Sequence, residues 1–170
     1  MRLKHLLIAA PVLLVLGALA YAQWAPAGLQ QVPDIRLQTT AGRTMALRQV
    51  ASRGPLLVTF WATSCRSCVQ EVPRLSQLYR DLHHRGLEIL AISMYYDSPF
   101  QVTEMMQNRG IPYHVAFDLN QDALRAFRVR HAVTPNTYLI APDGRVVLHK
   151  AGLLDMDKLR ERILQMIKTS

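Results

Sequence analysis

One segment of the sequence constrains the fold more than any other: a continuous apolar run that ends just before two closely spaced cysteines. Residues 55–61 are Pro-Leu-Leu-Val-Thr-Phe-Trp, a pattern typical of a short strand that is buried on both faces. After a short turn, Cys65 and Cys68 occupy the positions where a helix should begin. A buried strand that leads directly into a helix predicts an α/β domain, in which helices cover both faces of a largely parallel sheet.

The sequence after residue 34 supports this prediction, because predicted strands and helices alternate along it. Residues 34–50 predict an opening hairpin, with Met45 and Leu47 in its second strand. Asp97 and Ser98, which precede a proline, predict a helix start with a capping side chain. A closing hairpin around a Pro-Asp-Gly turn makes the sheet mixed. The predicted strands and helices after the opening hairpin cover residues 55–61, 65–82, 87–94, 97–108, 113–117, 122–127, 136–141, 146–150 and 155–167.

The spacing of the two cysteines suits reversible disulfide chemistry. Two intervening residues let the sulfurs reach bonding distance within one helical turn. The unpaired N–H groups and the dipole at a helix start stabilise an anion, so Cys65 is expected to be the low-pKa thiolate that attacks a disulfide. Cys68, one turn into the helix and more buried, is expected to resolve the mixed disulfide. Arg66 adds a fixed positive charge beside the pair.

Other kinds of site also contain a Cys-x-x-Cys pair. A structural zinc site needs four ligands, and the sequence has no second cysteine pair to supply them. Haem attachment needs a histidine directly after the second cysteine, where Val69 stands. A copper chaperone needs a third soft ligand, which the sequence alone does not locate. A thiol peroxidase on a related fold needs Thr or Ser at position 62 and Pro at position 58, where Ala62 and Val58 stand. Redox exchange is the preferred interpretation, with a copper chaperone or a thiol peroxidase as the alternatives.

The N-terminal segment predicts export from the cytoplasm. Arg2 and Lys4 form a short basic start, and residues 6–24 carry no charge and are almost all apolar or small. A helix of this length nearly spans a bilayer core of about 30 Å. Residues 1–24 are therefore expected to be a signal anchor in the inner membrane. The alternative is a signal peptide that is cleaved after Ala22.

The remaining chain is predicted to form one domain. Residues 25–33 contain two prolines and a glycine and no charge, which predicts a linker, and residues 34–170 have the length of one ordinary domain. The formal net charge is +8, but the basic residues are scattered rather than clustered. Because no nucleic-acid-binding module or basic stripe is evident, no nucleic acid is expected as a partner.

The cysteine run and the residues after it resemble a known family. Residues 60–68, Phe-Trp-Ala-Thr-x-Cys-x-x-Cys, are followed by Glu71-x-Pro73 and are similar to the motif of the TlpA/ResA-type thiol-disulfide oxidoreductases of the thioredoxin superfamily. The resemblance covers about residues 33–168. It implies a thioredoxin-like fold, in which helices flank a central mixed β-sheet, with an N-terminal β-hairpin and a central β-α insertion at about residues 97–117.

The resemblance also implies roles for particular residues. Glu71 stands where this family often has a carboxylate that handles protons near the second cysteine. Thr134 and Pro135 stand where thioredoxin folds place a cis-proline opposite the cysteines, and the exposed backbone there pairs with an extended substrate. Together with Trp61 and Arg66, these two residues are the expected substrate-binding set.

These observations predict an exported, membrane-tethered thiol-disulfide oxidoreductase on the periplasmic side of a bacterial inner membrane. The resemblance implies that it acts as a disulfide reductase; a more oxidising pair, which the charge of Arg66 favours, is the alternative. Its expected clients are periplasmic proteins with thiols or disulfides: apocytochrome c, a metal-resistance protein or another oxidised periplasmic protein. The resemblance implies that a DsbD/CcdA-type membrane electron donor reduces the protein again after each cycle. No metal and no cofactor is expected beyond the disulfide itself.

Thr59 and Ser64 depart from the thioredoxin pattern, which has a buried acid and an aromatic residue at these positions.

Overall fold

The structure, a computed structural model, describes residues 28–129 and 132–169. The expected anchor or signal peptide, residues 1–24, lies outside these ranges. Within them, no helix is both long enough and apolar enough to cross a bilayer.

The domain begins within the predicted linker. Val32 is buried in the core, and its N–H donates to the carbonyl of Gly144 at 2.8 Å. Gln31 forms a β-bridge with Arg145. The structured domain therefore starts before the predicted boundary at residue 34, because Val32 adds apolar surface to the core and its backbone finds partners there.

The described residues form two β-sheets and five α-helices. The strands are β1 (Arg36–Gln38), β2 (Thr44–Ala46), β3 (Leu56–Trp61), β4 (Glu88–Ser93), β5 (His114–Phe117), β6 (Asn136–Ile140) and β7 (Val146–Ala151). The helices are α1 (Leu47–Ala51), α2 (Arg66–Leu82), α3 (Pro99–Arg109), α4 (Asp122–Ala126) and α5 (Met156–Thr169), with a 3₁₀ turn at His83–Arg85.

The central sheet is mixed, as predicted. Its strand order is β5-β4-β3-β6-β7, in which β3, β4 and β5 run parallel and β6 and β7 are antiparallel to their neighbours. All residues of β3 are buried, because this strand lies in the middle of the sheet. The ends of β3, β4 and β5 meet the start of β6 at one edge, which we call the active edge. In open α/β sheets, ligand sites form at the carboxyl ends of the parallel strands.

The opening hairpin is shorter than predicted. β1 and β2 pair antiparallel, and a bridge from Thr39 to Ala116 attaches them beside β5. Leu47, predicted to lie in the second strand, instead begins α1. Leu47 and Ala51 are four residues apart and fully buried, so one helical turn places both on the core. A strand would turn Gln49 to the same face, and Gln49 is exposed.

Two hydrophobic layers cover the sheet, one on each face. The side chains of β3 alternate between them: Val58 and Phe60 face the hairpin, α1 and α4, while Leu57 and Trp61 face α2, α3 and α5. The second layer receives the apolar faces of three helices. Their buried members include Leu75, Leu78, Leu82, Val102, Leu159 and Ile163.

Candidate active site

The two cysteines lie at the active edge and are joined by a disulfide, with their Cα atoms 5.2 Å apart. Cys65 is the N-cap of α2 and has extended backbone angles, as predicted for a helix that starts at this position. Its sulfur accepts a hydrogen bond from the N–H of Cys68 at 3.2 Å and lies 3.4 Å from the hydroxyl of Ser67. These groups and the helix dipole would stabilise negative charge on the Cys65 sulfur when the disulfide is reduced.

The two sulfurs differ in accessibility. Cys65 is half-buried, whereas Cys68 is only 4% exposed. An external disulfide can therefore approach Cys65 and not Cys68. Arg66, the first residue of α2, is exposed beside the accessible sulfur.

A buried carboxylate holds the turn before the cysteines in place. Asp97, after β4, accepts hydrogen bonds from the N–H of Thr63 at 2.7 Å and from its hydroxyl at 3.0 Å. The sequence pattern predicted a helix start at Asp97-Ser98-Pro99 with a capping side chain. The helix does start there, with Ser98 as its N-cap, but no side chain caps it, and the carboxylate of Asp97 pairs with Thr63 instead. The Asp-Ser-Pro pattern alone could not distinguish a local cap from this long-range contact.

Glu71 lies on α2 one turn after Cys68 and is only 4% exposed. Its Oε1 atom accepts a hydrogen bond from the N–H of Leu154 at 2.6 Å. Burial raises the pKa of the Glu71 carboxyl above its ordinary value of 4.5, and this effect outweighs the opposing influences of the Leu154 hydrogen bond and the Arg74 charge. A carboxyl of this kind can take up a proton at a higher pH than an exposed glutamate.

Cys68 and Glu71 line the same small cavity, of about 10 Å³, which is close to the room that one water molecule needs. The Nε1 atom of Trp61 is buried without a hydrogen-bond partner. Burial raises the pKa of the Tyr113 hydroxyl, and the nearby charge of Glu71 raises it further. The complete lining consists of Thr59, Trp61, Cys68, Glu71, Val72, Leu75, Ala91, Tyr113 and Pro135.

Thr59, which stands in place of a buried acid behind Cys68, pairs with Thr137. Their hydroxyl oxygens are 2.9 Å apart across the β3–β6 pair, and both side chains are buried. The two hydroxyls satisfy each other's hydrogen bonding. The carboxylate among the residues that line this cavity is therefore not at position 59 but at position 71, on α2. Sequence reasoning identified Glu71 but gave no signal for the pairing of Thr137 with Thr59 or for the place of Tyr113 in the cavity lining.

The peptide bond between Thr134 and Pro135 is cis. Pro135 lines the cavity with Cys68 and accepts a hydrogen bond at its carbonyl from the N–H of Gly152 at 2.8 Å. Thr134 is half-buried and lies next to this proline at the active edge. The structure therefore brings Trp61, Cys68, Glu71 and Pro135 around one cavity. Cys65, Arg66 and Thr134 are more accessible and lie at the active edge, next in the chain to residues 64, 67 and 135.

The fold and this site define the protein as a thioredoxin-like thiol-disulfide oxidoreductase. Residues 29–149 match the AhpC/TSA family, and the chain belongs to that family. The chain is 31% identical to the thiol-disulfide oxidoreductase ResA of Bacillus subtilis (strain 168) over 122 residues, which are 72% of this chain and 66% of that ResA. It is 27% identical to ResA of Halalkalibacterium halodurans over 140 residues, 82% of this chain and 76% of the relative. These relatives confirm the TlpA/ResA-type resemblance.

The fold also agrees with solved structures. The solution structure of a candidate thioredoxin from Neisseria meningitidis superposes with a TM-score of 0.75 at 25% sequence identity, over 83% of this chain and 92% of that one. A candidate thiol:disulfide interchange protein DsbE from Chlorobium tepidum gives a TM-score of 0.73 at 22% identity and covers 84% of this chain and 99% of that one. The prediction of a thioredoxin-like fold is confirmed.

The part of the chain that the structure describes contains no cluster of three or more His, Cys, Asp or Glu side chains that could hold a metal ion.

Proposed function

We propose that the protein is an exported, membrane-tethered disulfide reductase that uses the Cys65–Cys68 dithiol and needs no further cofactor. One observation carries the proposal: the accessible sulfur lies at a helix N-terminus, and the buried sulfur shares a cavity with a buried carboxyl group. The first environment favours a nucleophilic thiolate. The second provides a proton acceptor for a thiol that solvent cannot reach.

The first step is the attack of the Cys65 thiolate on one sulfur of a client disulfide. A bond forms between Cys65 and that sulfur, and the client disulfide bond breaks. The other client sulfur leaves with the electron pair and takes a proton from water. Arg66 and the N-terminus of α2 stabilise the attacking thiolate, because both place positive charge near the Cys65 sulfur.

The second step releases the client. Glu71 takes the proton of the Cys68 thiol, and the resulting thiolate attacks the Cys65 sulfur. The Cys65–Cys68 disulfide forms, the mixed disulfide breaks, and the client sulfur leaves as a thiolate. The client has then gained two electrons and the protein has lost two. The raised pKa of Glu71 supports its role here, because it lies closer to the pKa of a thiol than that of an exposed glutamate does.

The client segment binds where the cis-proline loop meets the cysteines. The backbone of Thr134 pairs with the extended chain of the client, while Pro135 and Trp61, which are buried, support this contact from the cavity that they line. A DsbD/CcdA-type membrane protein then reduces the Cys65–Cys68 disulfide by the same exchange in reverse. Residues 1–24 export the domain to the periplasmic side of the inner membrane and tether it there, which the apolar segment 6–24 supports.

Trapping of the mixed disulfide tests the assignment of the two cysteines. A full chain with Cys68→Ser should accumulate clients bound through Cys65 when it is expressed in a bacterium, because the second step is blocked. Cys65→Ser is the matched control and should trap none, since Cys68 is buried. Equal trapping by both variants would contradict the assignment.

A reporter fusion tests the export of the domain. Alkaline phosphatase fused after residue 170 is active only when its own disulfides form outside the cytoplasm. We expect activity in the membrane fraction for the full chain and none after deletion of residues 1–24. Activity in the soluble fraction would support cleavage after Ala22, and inactivity of the full-chain fusion would contradict export.

A further inference from the structure

The exposed apolar side chains gather at the active edge. In the described ranges, every exposed large hydrophobic residue lies in one of two places. Most are in the loops at the active edge, which follow β4, β5 and β7 or precede β6, and one is in the first turn of α3. Exposed apolar surface concentrated around one site marks an interaction surface. These residues are Tyr95, Tyr96, Phe100, Leu119, Val133 and Leu153.

Next to Cys65, this edge contains a groove of about 640 Å³. One wall is the turn before the cysteines, with Thr63 and Ser64, and Ser64 is bonded directly to Cys65. The opposite wall is one face of α3. Asp97 holds the two walls together through its hydrogen bonds to Thr63. The α3 wall consists of Gln101, Glu104, Met105, Asn108 and Arg109, and Tyr96 completes the groove.

The α3 wall has the chemistry of a surface that binds a polypeptide backbone. Gln101 and Asn108 are exposed amides, and each carries both a donor and an acceptor, as a peptide group does. They are seven residues apart on one helix, a rise of roughly 10.5 Å, which equals about three residues of extended chain. Glu104 and Arg109 carry opposite charges, so the groove does not select a client by net charge.

We propose that this groove binds about three residues of a client polypeptide that directly adjoin its reactive cysteine, in an extended conformation. Gln101 and Asn108 bind the client backbone, and Tyr96 and Met105 contact an apolar side chain between these two amides. This inference rests on the proposed function, because disulfide exchange with Cys65 is what brings a client chain beside Ser64. The groove makes the protein selective for clients whose cysteine lies in an unfolded or extended segment.

Two mixed disulfides of 5-thio-2-nitrobenzoate test the proposal with the reduced full-length protein. The first contains N-acetylcysteine amide, which is too short to reach α3. The second contains the blocked peptide Ala-Phe-Ala-Cys-Ala-Phe-Ala, which extends three residues to each side of the cysteine. Cys65 attacks the cysteine sulfur, coloured thionitrobenzoate leaves with the electron pair, and Cys68 then releases the peptide thiol. The rate of colour release measures the attack.

We expect the peptide to react about tenfold faster than the short probe. The double variant Gln101→Ala/Asn108→Ala should abolish this advantage and leave the rate with the short probe unchanged. Gln107→Ala is the matched control, because Gln107 is an exposed amide of α3 that does not line the groove. Tyr96→Ala should remove the preference for this peptide over one with alanine in place of phenylalanine.

Two results would overturn the inference. A double variant that keeps the full peptide advantage would show that the groove does not bind the client. The variant Leu119→Ser changes an exposed residue of a different groove. If this variant lost the peptide advantage and the double variant kept it, the client would bind at that other groove. Failure of the wild-type protein to react with either probe would instead overturn the proposed function itself, and the groove's role with it.

Discussion

The carboxylate of Asp97 accepts two hydrogen bonds from Thr63, two residues before Cys65, and is almost completely buried. The contact joins the loop after β4 to the turn between β3 and α2. Two charge-assisted hydrogen bonds to one residue fix both its backbone and its side chain. The position of the Cys65 sulfur at the helix start therefore depends on a residue in a different part of the chain.

Replacement of Asp97 should loosen this turn. Asp97→Ala leaves the partly buried N–H of Thr63 without its partner, so we expect a loss of about 1–3 kcal/mol in the free energy of unfolding. The attack of Cys65 on the N-acetylcysteine amide probe should also slow. Urea denaturation and stopped-flow absorbance measure the two effects. Asp122→Ala, which removes an exposed ion pair with Arg125, is the control and should change neither.

Glu71→Gln should slow the release of the client without slowing its capture. The variant amide keeps an oxygen that can accept the hydrogen bond from Leu154, but it cannot take the Cys68 proton. Loss of a positioned general base predicts a decrease of about 100-fold or more in the rate at which Cys68 resolves the mixed disulfide. Rapid-quench analysis of the mixed disulfide follows both steps.

Glu161→Gln, an exposed change on α5, is the control for this measurement. Equal slowing of both steps in Glu71→Gln would contradict a role confined to Cys68. An unchanged resolution rate would remove Glu71 from the mechanism.

The stability of the oxidised protein should depend on pH through Glu71. Folding raises the pKa of this carboxyl above 4.5, so the folded state keeps a proton that the unfolded chain has already released. The contribution of Glu71 is therefore most favourable below the unfolded pKa and is lost as the pH rises through the folded pKa. The free energy of unfolding of the wild type, relative to Glu71→Gln, should fall across that window and stay constant above it.

Urea denaturation of both oxidised proteins from about pH 4 to pH 8 measures this difference. A difference that rises with pH would mean that the hydrogen bond from Leu154 and the charge of Arg74 outweigh burial, and would show that the pKa of Glu71 is lowered on folding.

The hydroxyl pair behind Cys68 should behave as a unit. Thr59→Val removes one partner and leaves the buried hydroxyl of Thr137 unsatisfied, which predicts a loss of about 1–3 kcal/mol in the free energy of unfolding. The double variant Thr59→Val/Thr137→Val should cost less than the sum of the two single changes. A double-mutant cycle by urea denaturation measures this coupling, and strict additivity would show that the two hydroxyls do not interact.

The regular parts of this fold could be predicted from local pattern. The apolar run in β3, the helix that starts at Cys65 and the closing hairpin each depend on residues that are close in sequence. The prediction for Leu47 was wrong because a single buried turn, with apolar residues four apart, contains too few residues to distinguish a helix from a strand end.

The site was predicted only where a motif carried it. Cys65 and Cys68 followed from their spacing at a predicted helix start, and Glu71 and the cis peptide bond at Pro135 followed from the family resemblance. The cavity behind Cys68 also depends on side chains that the fold brings together from β3, β4, α2 and the loops before β5 and β6, and no local pattern reports such contacts. The pairing of Asp97 with Thr63 is also a contact between residues far apart in sequence. The Asp-Ser-Pro pattern alone is equally compatible with a local helix cap.

The reduction potential of the Cys65–Cys68 pair tests the central claim most directly. We would equilibrate the full-length protein with defined ratios of reduced and oxidised dithiothreitol or glutathione, with Cys65→Ser as the control. We predict one two-electron transition near the thioredoxin value of about −270 mV, which suits a reductase that a membrane donor recharges. A value near that of DsbA, about −120 mV, or the absence of a reversible disulfide, would contradict the assignment of this protein as a reductase.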